Sequence, residues 1–237
     1  MRYTVCIPMY NESAVIADCA KRLSDYLSGT YEDYEILFVD DGSTDESAKV
    51  VESLGLPHVR VIRYEKNRGK GYAVRTGLSA STGDFTMFTD ADLAYGTDVI
   101  GRVFTKFEEE PDAQIVVGSR NLGKDGYEGY SFIRKVASKL YILVLNLAGG
   151  LKLSDSQCGC KAFTKQAVEQ IIPRCEVDRF AFDFEIILWA QKLGIRIAEI
   201  PVKVISQGAS KVRLVRDSLR MLRDLRKMKK KIKKAAV

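Results

Sequence analysis

Three short polar clusters hold the residues best suited to chemistry: Pro8-Met9-Tyr10-Asn11-Glu12, Asp40-Asp41-Gly42-Ser43-Thr44-Asp45 and Asp90-Ala91-Asp92. Each follows an apolar stretch, residues 3–7, 35–39 and 85–89, that reads as a strand. Ligands of open α/β sheets bind outside the carboxyl ends of the strands. Three such ends rich in carboxylates imply a ligand whose negative charge needs a cation beside it. Mg²⁺ takes one or two protein carboxylates and completes its shell with phosphate oxygens and water. Asp90 and Asp92 suit that task, one reaching the metal or a ribose while the other ligates the metal.

A nucleoside-diphosphate sugar, with its base, ribose and diphosphate, is a ligand of the kind such clusters could serve. Asp40 and Asp41 can accept from a base imide or a ribose hydroxyl, and a cation on Asp90 and Asp92 can act as Lewis acid on a departing diphosphate. Plainer readings exist. Asp-Ala-Asp also suits a solvated turn, Asp41-Gly42-Ser43 a turn and helix cap, and Glu12 a first-turn residue favoured by the helix dipole. In Asn67-Arg68-Gly69-Lys70-Gly71 the spacing fits neither a dinucleotide fingerprint, because Val74 stands where the third glycine belongs, nor a Walker loop. A Gly-rich helix start carrying Lys70 and Arg75 still suits a phosphate or a base edge.

The elements that must position these groups alternate. Strands are expected at 3–7, 34–39, 59–63, 84–89 and 114–117, with helices at 12–27, 45–54, 71–80 and 98–109 between them. Such alternation predicts βαβ units and a mostly parallel α/β sheet with helices on both faces. Ser43-Thr44-Asp45 offers N-cap chemistry to the second helix. Beyond Gly118 a polar loop (121–130) leads to a long helix (132–147), a loop (155–159), a short strand (161–164) and a helix (182–193). Residues 195–205 read as two short strands around Pro201, and 212–234 as a helix with one apolar stripe through Val215, Leu219, Leu222, Leu225, Met228 and Ile232.

Composition removes several function classes. With 237 residues, 46 % of them apolar, the chain suits one sizeable core. Five cysteines without a C-x-x-C, and His58 as sole histidine, argue against a disulfide framework, most zinc sites and a His-based triad; reduced thiols in a cytosolic compartment are expected. A strand begins almost at once, so no signal peptide is expected, and the most apolar stretch, 140–147, is far short of the ~20 residues of a spanning helix. Net charge is +6, but residues 211–237 carry twelve Lys/Arg against two Asp, leaving the body mildly acidic. A basic amphipathic tail of this kind fits an anionic membrane surface. Nucleic acid is the weaker partner, since RNA readers use aromatics and the tail has none.

Taken in order, Pro-x-Tyr-Asn-Glu, Val-Asp-Asp-Gly-Ser-x-Asp, Asn-x-Gly-x-Gly and Asp-Ala-Asp resemble family 2 glycosyltransferases of the GT-A fold. Within that family, Gly118-Ser119-Arg120, Arg134, Asp155-x-Gln157-Cys158-Gly159-x-Lys161-x-Phe163, Phe182-Asp183-x-Glu185 and Ser210-Lys211 look like the dolichyl- and polyprenyl-phosphate sugar transferases. They are most similar to the dolichyl-phosphate β-glucosyltransferases and next to the dolichol-phosphate mannose synthases. The resemblance implies a GT-A domain over residues 1–210, with a nucleotide-binding half (1–118) and an acceptor-binding half (119–210), followed by a membrane-surface helix over 211–237.

It further implies a nucleotide-sugar site at Pro8, Tyr10, Glu12, Asp40, Asp41, Lys70, Asp90, Ala91 and Asp92, with Mg²⁺ or Mn²⁺ on Asp90 and Asp92. Arg120, Arg134 and Lys211 would contact the donor and acceptor phosphates, and Asp155 and Asp183 would act as base or orienting groups. The implied reaction is inverting transfer of a hexose, glucose from UDP-glucose first, to a polyprenyl phosphate at the cytosolic face of a membrane. Alternatives are GDP-mannose as donor, a glycan acceptor, a nucleotidyltransferase, or a non-catalytic nucleotide- or nucleic-acid-binding module. Ala94 replaces a glutamine frequent in mannosyl relatives, and no Q-x-x-R-W motif of processive synthases is present. The sequence gives no oligomeric state.

Overall fold

The computed structural model describes residues 1–128, 132–205, 224–225 and 227–235, apart from the side chains at 132–134, 137, 140, 141, 145 and 148. The elements run β1 (Tyr3–Met9), α1 (Ile16–Thr30), β2 (Tyr34–Asp40), α2 (Ser47–Ser53), β3 (Val59–Arg63), α3 (Lys70–Ala80) and β4 (Phe85–Phe88). They continue with α4 (Asp98–Glu109), β5 (Ile115–Ser119), α5 (Phe132–Gly149), β6 (Lys161–Thr164), α6 (Lys165–Ile171), a 3₁₀ turn (Ile172–Arg174), α7 (Phe182–Lys192) and β7 (Ile197–Pro201).

The strands form one seven-stranded sheet in the order β3-β2-β1-β4-β6-β5-β7. The pairs β1–β2, β2–β3, β1–β4 and β5–β7 are parallel, while β6 runs antiparallel to β4 and β5. The mostly parallel α/β expectation holds. A fully parallel sheet with helices on both faces has strands buried on both sides, which read as continuous apolar runs. β2 does so, with all seven residues buried. Alternation in β1 sends Val5, Ile7 and Met9 to a core shared with α1 and α4, and Cys6 to a second core shared with α3, α6 and α7. On α4, Val99, Ile100, Val103, Phe104 and Phe107 are buried as one stripe. Each large side chain so buried contributes about 1.5–3 kcal/mol.

Several elements differ from the sequence reading. The first helix starts at Ile16, because residues 12–15 form a turn in which the Val15 and Ile16 N–H groups donate to the Glu12 carbonyl. Residues 195–205 give one strand, β7, instead of two; after Pro201 the chain is tied by Val202 N–H to the Ser119 carbonyl and by Ile205 N–H to that of Ala94. Helix α6 was not expected; Thr164 caps it by accepting the Ala167 N–H at 3.2 Å. All five cysteines are free and buried. Strand β6, from the second half of the chain, lies between β4 and β5, so both halves share one sheet.

Residues 206–223, with Lys211, lie outside the described residues. Residues 227–234 are helical, and Leu225, Met228 and Ile232 are buried in the core that includes α7. This corrects the expectation of a lipid-facing apolar stripe at those three positions: burying them against protein already removes their surface from water. The lysines at 227, 229, 230, 231, 233 and 234 are exposed, and Lys231 pairs with Glu176. Among the described residues no helix is long and apolar enough to cross a membrane.

Candidate active site

Strand order reverses at β1, whose neighbours are β2 on one side and β4 on the other. The crevice outside the carboxyl ends at such a switch point is where α/β sheets bind ligands. The three polar clusters converge there. Met9 at the end of β1 is in register with Asp40 at the end of β2, and Cys6 with Phe88 at the end of β4.

The first two clusters are laced together. Asn11, with a left-handed φ of 54°, donates its N–H to Ser43 Oγ at 2.9 Å and accepts the Thr44 N–H on Oδ1 at 2.9 Å. Glu12 N–H donates to Ser47 Oγ at 2.8 Å and Ser13 N–H to Asp45 Oδ2 at 3.1 Å. Asp45 also accepts the Ser47 N–H at 3.0 Å just before α2, whose N-cap, Glu46, makes no side-chain cap bond, while Ser43 holds the β1 loop. Pro8, the penultimate residue of the strand, is half-buried and in register with Val39, and Tyr10 is exposed.

Asp40 is fully buried. Its Oδ1 accepts the Ser43 N–H at 2.9 Å, and Oδ2 stands 3.3 Å from Arg63 Nε yet accepts no hydrogen bond. A buried carboxylate oxygen without a donor is costly unless a partner arrives, which fits a ligand group at this position. Asp41 is different. Its oxygens accept from Tyr64 Oη (2.7 Å), Asn67 Nδ2 (2.8 Å), Arg68 N–H (2.8 Å) and Gly69 N–H (2.8 Å). Its acceptor capacity is filled by the 64–69 loop, and its work is to hold that loop. Burial and Asp41 together push the Tyr64 phenol up.

The third cluster closes the crevice. Lys70, first residue of α3, places Nζ 2.5 Å from Asp90 Oδ1. Burial alone would lower the Lys70 ammonium, but Asp90 and then Asp183 outweigh it and raise it. Asp92 accepts the Ala94 N–H at 3.1 Å, and its carboxyl is pushed up by burial and by the neighbouring Asp90 charge. Leu93 follows with φ 46°, a conformation that bulky side chains rarely adopt and that gathers at functional sites. The side chain of Ala91 is buried in the core with α1 and α4, which leaves its backbone for the ligand contact expected there.

The acceptor-side candidates separate as well. Asp155 is fully buried and grips Arg120 with two oxygens, Oδ2 to Nε at 2.7 Å and Oδ1 to Nη2 at 3.0 Å. It also accepts the N–H groups of Arg120 and Gln157, each at 3.2 Å. So engaged, Asp155 orients Arg120, which is the orienting half of the role expected of it. Burial would lower the Arg120 guanidinium, but Asp155 holds it well above its usual range.

Asp183, in the first turn of α7, is buried, with Oδ1 2.6 Å from Lys161 Nζ. Burial raises its carboxyl; Lys161 and Lys70 oppose that and Asp90 adds to it, so Asp183 belongs electrostatically to the same site. Arg134 lies in the first turn of α5, its side chain outside the described set, as is all of Lys211.

Two residues quoted in the sequence only as parts of a motif, with no role of their own, prove to be built into this site. Lys161 pairs with Asp183, and its signal was a lysine within the otherwise apolar Cys160–Phe163 stretch. Gly159 lies on Asp90: a Cβ there would stand 2.4 Å from Asp90 Oδ2. Glu185 acts as a clamp, accepting the N–H groups of Glu176 and Val177 at 2.8 and 2.7 Å. Among the described residues, no group of three or more His, Cys, Asp or Glu side chains could hold a metal alone. Asp90 and Asp92 bring two carboxylates close enough for one charge to act on the other, and a pair of that kind suits a cation that takes the rest of its shell from a ligand.

The profile of glycosyl transferase family 2 matches residues 4–172. A dolichyl-phosphate beta-glucosyltransferase from Dictyostelium discoideum is 33 % identical, covering 94 % of this chain and 72 % of its own length. Those from Saccharomyces cerevisiae and Homo sapiens are 32 and 31 % identical, again over 94 % of this chain and 72 and 73 % of theirs. Among solved structures, glucosyl-3-phosphoglycerate synthase from Mycobacterium tuberculosis, in complex with Mn²⁺, UDP and phosphoglyceric acid, superposes with a TM-score of 0.72 at 18 % identity. That match covers all of this chain and 80 % of the synthase, and the same enzyme is also known with Mg²⁺ and UDP. With its sheet, its switch-point carboxylates and these relatives, the chain belongs to glycosyl transferase family 2.

Proposed function

We propose that this chain transfers glucose from UDP-glucose to a dolichyl or other polyprenyl phosphate. The observation that carries the reading is the grouping of Lys70, Asp90, Asp92 and Asp183, in a chain of which a dolichyl-phosphate beta-glucosyltransferase relative matches 94 %. Asp40, with Pro8, Tyr10 and Glu12 beside it, holds the base and ribose. Asp90 and Asp92 would hold Mg²⁺ or Mn²⁺, and the crowding of two carboxylates that raises Asp92 fits a bound cation. The ion would supply Lewis-acid stabilisation of the departing diphosphate.

The protein's own residues do the rest. Lys70, already drawn to Asp90, supplies a cation to the diphosphate. Arg120, fixed by Asp155, presents guanidinium donors to a phosphate with its orientation preset. Arg134 and Lys211 are assigned the same task. The acceptor phosphate, with a second pKa near about 6, is largely ionised at neutral pH. Asp183 therefore orients the acceptor, or takes its residual proton, as it attacks the anomeric carbon directly and inverts it.

The acceptor is a lipid, and two features favour a membrane surface. Val136, Leu143, Val144 and Leu147 are exposed along α5, and the lysines of 227–234 supply positive charge. The chain is assigned to the cytosolic face of a membrane as a peripheral protein. Purified protein with labelled UDP-glucose, Mn²⁺ and a short polyprenyl phosphate is expected to yield labelled glycolipid. No lipid label, or faster labelling from GDP-mannose, overturns the assignment.

A further inference from the structure

Lys161 opens β6 with its side chain wholly removed from solvent. Lysine is almost never so placed unless paired. Its Nζ lies 2.6 Å from the Cys158 carbonyl oxygen and 2.6 Å from Asp183 Oδ1, and 5.7 Å from the centre of the Phe88 ring. No step above uses this lysine. Nor is stability a sufficient reason for it, because apolar side chains of similar volume commonly replace a buried ion pair without loss.

The neighbours give the ammonium a use. Cys158 and Gly159 form the turn that lies against Asp90, so close that a Cβ on Gly159 would meet Asp90 Oδ2 at 2.4 Å. Asp183 lies within reach of the charges of Lys70 and Asp90. One buried cation thus ties the turn over the candidate metal ligand to the carboxylate across the site.

We propose that Lys161 is a positioning residue for the transfer reaction, fixing the Asp183 carboxylate and seating the Cys158–Gly159 turn on Asp90. The inference deepens the proposed function and rests on the place of Asp183 within it. Without the ammonium, burial favours the uncharged acid at Asp183, and the turn loses the donor that holds its carbonyl. The donor nucleotide, bound at the ends of β1 and β2, keeps its contacts.

The test is steady-state kinetics on the full chain with UDP-glucose, Mn²⁺ and a short polyprenyl phosphate. For Lys161→Met, kcat is expected to fall about 10- to 100-fold, the usual loss for an outer-shell partner, with KM for UDP-glucose within about twofold. In an Asp183→Asn background the same substitution is expected to lower kcat clearly less than it does in the parent, the remaining loss coming from the Cys158–Gly159 turn, since residues acting through one another are not additive. If Lys161→Met does not fold, Lys161→Gln, which keeps a donor but not the charge, takes the same comparison. Parental kcat in the variant, or a loss undiminished by Asp183→Asn, overturns the proposal while leaving the reaction intact. A parent protein inert with UDP-glucose contradicts the proposed reaction, and this inference with it.

Discussion

Lys70 Nζ stands 2.5 Å from Asp90 Oδ1, while Gly159 is packed against the other oxygen of the same carboxylate. Asp90 is therefore held from both sides by elements distant in sequence, the start of α3 and the turn before β6. Its partner Asp92 has, among the described residues, only the Ala94 N–H as a hydrogen-bond donor and lies under the charge of Asp90. This asymmetry gives the two carboxylates different mutational signatures.

Asp92→Ala is expected to reduce kcat at least about 100-fold, the scale of removing one electrostatic stabiliser of a leaving group. The melting temperature should hardly change, because the lost hydrogen bond is a local one within the turn. Parallel kinetics and thermal melts check this, and retained turnover contradicts the metal assignment.

Gly159→Ala tests the other side of Asp90. A methyl group 2.4 Å from Oδ2 forces the carboxylate or the turn to move. The variant is expected to fold, to bind Mn²⁺ at least about tenfold more weakly, and to lose kcat in proportion. Parental Mn²⁺ affinity by titration calorimetry contradicts the placement.

Asp41→Ala is a stability prediction. Four donors around the 64–69 loop lose their acceptor at once. Hydrogen bonds to a charged group contribute about 1.5–3 kcal/mol each, and exposure of the loop to water limits the total to about 3 kcal/mol. Urea unfolding reads the loss. An unchanged midpoint would show that the loop does not need its clamp.

Glu35 gives a pH dependence. Burial alone would raise its carboxyl, but hydrogen bonds from Arg60, the Thr82 N–H and Thr4 outweigh burial and lower it. A carboxylate lowered on folding adds stability that is full above its unfolded value and lost as pH falls through the folded one. Glu35→Gln is therefore expected to cost about 2 kcal/mol at neutral pH. The gap between the two proteins should close progressively below about pH 4.3. Urea midpoints at several pH values measure it, and a gap constant with pH contradicts the pairing.

Much of the first half was legible because its signals are local. Apolar runs such as that of β2 end in carboxylates, and short range suffices to see that Asp40, Asp90 and Asp92 stand at strand ends. What escaped depends on contacts between distant residues. Asp41 and Asp40 are adjacent and identical in type, and only donors 23–28 residues away separate their roles. Asp155 reads in the sequence as a base or an orienting group alike, and its hold on Arg120, 35 residues earlier, is a tertiary fact. The four residues of β6 are too few to show antiparallel pairing, and Lys161 carries no cue to the carboxylate 22 positions on. The stripe through Leu225, Met228 and Ile232 has the same period whether it faces lipid or protein; its burial is a tertiary fact.

The most direct test of the central claim is glucose transfer from UDP-glucose to polyprenyl phosphate before and after exhaustive chelation. The account predicts that activity falls to background without divalent cation and returns when Mn²⁺ or Mg²⁺ is restored. Full turnover in the chelated protein would contradict it.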